Sequence, residues 1–159
     1  MGTSISHRGG SSRNFVTAVS TPAKVMVTTD VLFTIVDGPI QIKKLFMVCV
    51  TDNDATATLV RWRFNPTVGT SATFSAASTT IASVAAGTVV TLNPSALTSL
   101  PIIDLPAAGG IVTVSSAKWG VILREGNIAL ELSVGSTTGT WRHHLSYLPM
   151  SENAYVIAA

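Results

Sequence analysis

Residues 127–134 read Asn127-Ile128-Ala129-Leu130-Glu131-Leu132-Ser133-Val134, and Ile128, Leu130, Leu132 and Val134 alternate with Asn127, Ala129, Glu131 and Ser133. Side chains on a strand point to its two faces in turn, so a period of two specifies a β-strand with one face in a core. A second run of this kind follows the loop Gly135–Gly139: Trp141, His143, Leu145 and Tyr147 alternate with Arg142, His144 and Ser146. Paired as a hairpin, the two strands must bring their apolar residues to one face. Opposing Val134 to Trp141, Leu132 to His143, Leu130 to Leu145 and Ile128 to Tyr147 does so. It also sets Glu131 against His144 and Ser133 against Arg142, so the sequence predicts this hairpin with a Glu131–His144 pair outside.

The same rhythm recurs upstream. In Leu59-Val60-Arg61-Trp62-Arg63-Phe64, residues Val60, Trp62 and Phe64 share one face while Leu59, Arg61 and Arg63 share the other. Val31–Val36 ends at Asp37-Gly38-Pro39, whose glycine and proline suit a turn. The runs Ile40–Thr51 and Thr56–Phe64 flank Asp52-Asn53-Asp54 and read as a second hairpin. That Asp-x-Asp lacks the glycine and distal glutamate of an EF-hand calcium loop, which leaves the turn reading. Residues 65–110 read as short strands and loops crossing between sheets, with one strand at Gly87–Leu92, and Lys118–Arg124 reads as a further strand with Trp119, Val121 and Leu123 on one face. Many short strands and no amphipathic helix predict an all-β fold, an antiparallel β-sandwich.

Composition bounds the rest. At 159 residues the chain is one domain's length, and only 11% of it is charged while 47% is hydrophobic. That balance excludes a disordered chain and most charge-driven binders. The densest apolar run, Leu45–Val50, is far short of a spanning helix, so no membrane partner is expected. Ser and Thr, about a quarter of the residues, are the material left to cover the surface. With a net charge of +2, such a surface is weakly protected against association, or is covered by neighbouring subunits. Residues 1–20 are polar and read as a flexible N-terminal arm, with 21–159 as the single sandwich domain. Arg8, Arg13 and Phe15 in the arm and Arg61 and Arg63 on the strand are the candidate subunit contacts. Two arginines in the arm are too few for nucleic-acid binding. No secretory signal is visible, which sets the expectation of synthesis in the cytoplasm.

No catalytic, cofactor-binding or metal residues are expected. Cys49 alone forms no disulfide or cysteine zinc site and reads as a small buried hydrophobe. His143 and His144, adjacent on a strand, point to opposite faces and cannot share an ion; His143 takes the apolar side. The carboxylates lie mostly near turns, and phosphate loops and dinucleotide fingerprints do not occur. A non-enzymatic chain is the expectation.

Several segments resemble small virion proteins of tailed bacteriophages, of the head decoration or cement kind. They are Val36-Asp37-Gly38-Pro39-Ile40, Asn65-Pro66-Thr67-Val68-Gly69-Thr70, Ala86-Gly87-Thr88, and the run from the C-terminal hairpin through Tyr147-Leu148-Pro149 to Tyr155-Val156-Ile157-Ala158-Ala159. The resemblance runs from about Val31 to the end. It implies a jelly-roll-like sandwich on the capsid exterior, bound to the major capsid protein and to copies of itself as a homotrimer or homodimer. It implies no small-molecule substrate. Two alternatives stand beside it. One is a tail, baseplate or connector protein; the other is a carbohydrate-binding sandwich using Trp62, Trp119 and Trp141 if these are exposed around a groove.

Overall fold

The alternating runs form strands over 127–132 and 141–147, but in opposite layers, and Val134, expected on the core face, lies beyond the strand end and is exposed. The computed structural model describes residues 16–92, 102–104, 121–136 and 138–159. Among them are twelve strands and no helix: β1 (Thr17–Ser20), β2 (Lys24–Val25), β3 (Thr29–Val36), β4 (Ile40–Cys49), β5 (Val60–Pro66), β6 (Ala72–Thr73), β7 (Val89–Thr91), β8 (Ile102–Asp104), β9 (Ile122–Leu123), β10 (Gly126–Leu132), β11 (Thr140–Pro149) and β12 (Tyr155–Ala158). They make two antiparallel sheets packed face to face. The first runs β1-β11-β4-β7-β8, with β2 also on β11 and β9 on β4; the second runs β12-β3-β10-β5-β6.

The chain changes sheet at seven of the eleven connections between successive described strands, and the segments β3–β5 and β10–β12 pair in nested order: β3 with β12, β4 with β11 and β5 with β10. This is the layout of a ribbon rolled on itself. It corrects both expected hairpins. β10 pairs with β3 and β5, while β11 pairs with β4, β1 and β2, and β4 and β5 likewise belong to different sheets. The physical reason is that alternation specifies which face is buried, not which strand lies alongside. Two strands facing each other across a core satisfy the same rule as two neighbours in a sheet.

The inner faces supply the core. Trp62, Trp141, Phe33, Met26, Leu32, Ile40, Leu45, Met47, Ile128, Leu130 and Leu145 are fully enclosed. Burial of each stabilises the fold by about 1.5–3 kcal/mol relative to exposure. Two bulges explain where strict alternation fails. Ser146 faces Lys44 and Tyr147 faces Ile42, so Lys43 is the extra residue and the doublet Lys43-Lys44 stays outside between buried Ile42 and Leu45. Phe33 faces Ile128 and Val31 faces Ala129, which leaves Leu32 extra and lets both Leu32 and Phe33 turn inward.

Ser and Thr do more than cover the surface. Ser75 and Ser78 are buried, and their hydroxyls accept the Trp62 and Val60 amides at 2.9 and 3.0 Å. The Phe74 and Ser78 amides donate back to the Trp62 and Val60 carbonyls. The Ser-rich stretch after β6 thereby satisfies the edge of β5, which would otherwise offer open backbone groups to another strand. Thr17–Ser20, the last four residues of the expected arm, form β1 on β11, so this part of the arm belongs to the sandwich.

Glycine is required where β9 passes into β10. Gly126 has φ +149°, and a Cβ there would sit 2.6 Å from the Pro66 Cα. The substitution Gly126→Ala is expected to lower the unfolding free energy by about 3 kcal/mol, readable in a urea titration, because a rigid backbone and not a movable side chain occupies the space.

Candidate interaction surfaces

The titratable side chains divide into buried, paired and exposed sets. His143 is 0% exposed on the inner face of β11, and neither ring nitrogen has a hydrogen-bond partner. Burial, with Lys24 and His144 nearby, pushes its pKa down to about 3, so the imidazole is neutral. His144 faces outward, as expected, but its partner is not Glu131. The two residues lie in different sheets. His144 Nδ1 shares a 2.7 Å hydrogen bond with Ser20 Oγ, and its ring stacks on Phe46 with centroids 4.7 Å apart. Cys49 is buried, and desolvation lifts its thiol to about 11, leaving it a protonated core residue.

Glu131 is held by the two candidate contact residues on β5. Arg61 Nε lies 2.6 Å from one carboxylate oxygen and Arg63 Nη1 lies 2.5 Å from the other. The register explains the arrangement: Glu131 stands opposite Arg61 and diagonal to Arg63 on the outer face of the second sheet. Sequence reasoning placed these arginines on the correct face and missed their partner, because it paired Glu131 with the wrong strand. The Arg63 hydrogen bond, ahead of that from Arg61, holds the Glu131 carboxyl below its ordinary value. Its contribution is therefore present at neutral pH and is lost as pH falls below about 4.5. Replacing Glu131 with Gln is expected to cost about 1 kcal/mol at low salt and less in 1 M NaCl, measured by urea unfolding. Arg8, Arg13 and Phe15 lie outside the described residues.

The Asp52-Asn53-Asp54 loop is a corner between sheets, built around a buried amide. Asn53 Nδ2 donates to the Ile81 carbonyl at 3.1 Å, and Asn53 Oδ1 accepts from Ser136 Oγ at 3.0 Å and Trp141 Nε1 at 3.2 Å. Asp52 Oδ1 accepts the Ala86 amide, and Asp54 Oδ2 accepts the Thr138 amide and lies 3.1 Å from Ser136 Oγ, whose single proton it shares with Asn53. These carboxylates serve the backbone of the corner. Among the described residues no group of three or more His, Cys, Asp or Glu side chains converges as a metal site. Nor is any described helix long and apolar enough to cross a membrane.

Two surfaces of the described residues combine exposed or half-buried apolar side chains with charge. At one end of the sandwich the turns 37–39, 67–71, 124–125 and 150–153 come together. Gly38, Pro39, Thr67, Val68, Ile122, Arg124 and Glu125 line a cleft of about 530 Å³. Met150 joins this end through its amide bond to the Pro39 carbonyl. Val68 is 76% exposed, Ile122 59% and Met150 48%. The second surface is the outer face of the β4–β11 ladder. The Phe46–His144 stack sits at its centre, with exposed Lys44 and Arg142 two residues along on opposite sides, about 7 Å away.

Neither described tryptophan offers a sugar platform. Trp62 and Trp141 are fully buried in the core, and Trp119 lies outside the described residues. Comparisons with protein-family models, with curated proteins and with solved structures each found no match to the chain.

Proposed function

We propose that the chain is a non-enzymatic structural component of a tailed-phage virion, a decoration or cement protein on the capsid exterior. The observation that carries the reading is the exposed apolar end: Val68, Ile122 and Met150 project beside a cleft on a chain whose net charge is only +2. A surface of this kind gains by being covered, since exposed apolar residues grouped together favour a protein partner. The resemblance of the strand and turn segments to head decoration proteins supplies the partners, the major capsid protein and copies of this chain. Such a protein stabilises a shell by binding the assembled lattice more tightly than its separated parts.

Mass spectrometry and reconstruction of purified particles test this. The expected result is a stoichiometric band and density on the outer capsid surface. Density confined to the tail or connector would replace the decoration role with the alternative virion role, and absence from the particle would remove both.

A further inference from the structure

We infer that the β4–β11 outer face of one copy is the docking site for the turn end of a second copy. The argument begins with where charges lie. Three of the described carboxylates, Asp37, Glu125 and Glu152, are exposed around the turn end. Ser151 Oγ donates to the Asp37 carbonyl, which brings Glu152 beside Asp37, and Glu125 lines the same cleft as Gly38. None of the three has an ion-pair partner among the described residues, and Arg124 is the only exposed cation in the described turns there. The β4–β11 face has the opposite character. Lys44 and Arg142 flank the Phe46–His144 stack, and no described ion pair includes either.

The two surfaces also match in kind. The end presents aliphatic side chains inside an acidic rim, and the face presents a half-buried ring pair between two cations. Exposed ion pairs contribute little by themselves, so the apolar centre supplies the affinity and the charges set register and orientation. One chain carries both halves, so the contact is heterologous: copies joined this way close into a ring or continue as a chain. The contact names surfaces for the self-association within the proposed function, but it rests on this chain's surface alone. A chain absent from virions could still associate so, and a virion protein could bind as a monomer, so the two readings fail separately.

Light scattering on the purified full chain tests it. The expected result is a mass that is a multiple of 16.5 kDa at low ionic strength and falls as NaCl is raised. The double variant Lys44→Glu/Arg142→Glu is expected to associate roughly a hundredfold more weakly, since like charges then meet across the contact. Adding Asp37→Lys and Glu152→Lys to that chain reverses both halves and is expected to restore association. Circular dichroism melts identify any variant that fails to fold, and carbodiimide cross-linking of mixed ¹⁴N and ¹⁵N wild-type chains then decides alone. Cross-links between copies joining Lys44 to Glu125, Glu152 or Asp37 support the contact. A monomeric wild type, association unmoved by charge reversal in a folded variant, or inter-copy cross-links that avoid Lys44 would overturn it.

Discussion

Lowering the pH from 7 to 5 is expected to reduce the unfolding free energy by about 2 kcal/mol, and replacing His143 with Leu to remove most of that loss. In the unfolded chain the imidazole titrates near 6.5, whereas in the sandwich it takes a proton only near pH 3. Between those values the unfolded state binds more protons, so stability is full above about pH 6.5 and declines toward pH 3, at up to about 1.4 kcal/mol per pH unit. Burial is the leading cause, and Lys24 adds to it from β2. The Lys24 ammonium is itself paired with Asp30 at 2.9 Å, which ties the first sheet to the second beside the buried ring. His144, shifted the same way by partial burial and by Arg142, adds a smaller contribution of the same sign. Glu131 acts only below its ordinary carboxylate range, so the window from pH 7 to 5 isolates the histidines. At pH 7 the leucine variant should be about as stable as the wild type or more so, because it replaces a ring with two unsatisfied nitrogens by an apolar side chain. Urea titrations across the window are the measurement; parallel slopes for both proteins would refute the assignment.

The Asn53→Ala substitution is expected to cost about 3–4 kcal/mol, a large share of the stability of a domain this size. The residue is buried, and its side chain joins three separate segments: Ile81, Ser136 and Trp141. Alanine would leave the Trp141 indole N–H and the Ile81 carbonyl without these partners inside the core, at about 1–3 kcal/mol for each unsatisfied group. Trp141→Phe removes the indole donor while Ser136 still serves Asn53, so about 1 kcal/mol is expected, plus any cavity cost. A double-mutant cycle between Asn53 and Trp141, read by chemical denaturation, should show a coupling above about 0.5 kcal/mol. Additive losses would mean that the corner is held by its backbone bonds instead. Gly139 adds to the constraint: its φ is +79°, and a Cβ there would lie 2.7 Å from the Asn53 Cα.

The candidate surfaces were legible only in part. Arg61 and Arg63 were placed on an outer face by alternation alone, since period two separates Val60 and Trp62 from them whatever strand lies beside. That Glu131 joins them depends on β10 lying next to β5, which no local pattern specifies. Of the turn end, Asp37-Gly38-Pro39 was legible as a turn, while nothing in the residues joined it to Thr67-Val68-Gly69 or to Glu125-Gly126. Their meeting around one cleft depends on where the strands lie, because two sheet crossings, β3 to β4 and β9 to β10, and the β5–β6 turn all emerge on the same end of the sandwich.

What the residues determined by themselves was local: strand, turn and the side of each strand that is buried. Those properties follow from the pleat and from water, and each is decided within a few neighbouring residues. Val60, Trp62, Ile128, Leu130, Trp141 and Leu145 all turn inward as their alternation requires. Tertiary structure alone decided the partners. β10 and β11 present matching apolar faces, and such faces fit side by side or across a core. The choice fell to packing over the whole molecule, where β3 and β5 flank β10, β4 holds β11, and the Asn53 corner pins the crossing between them.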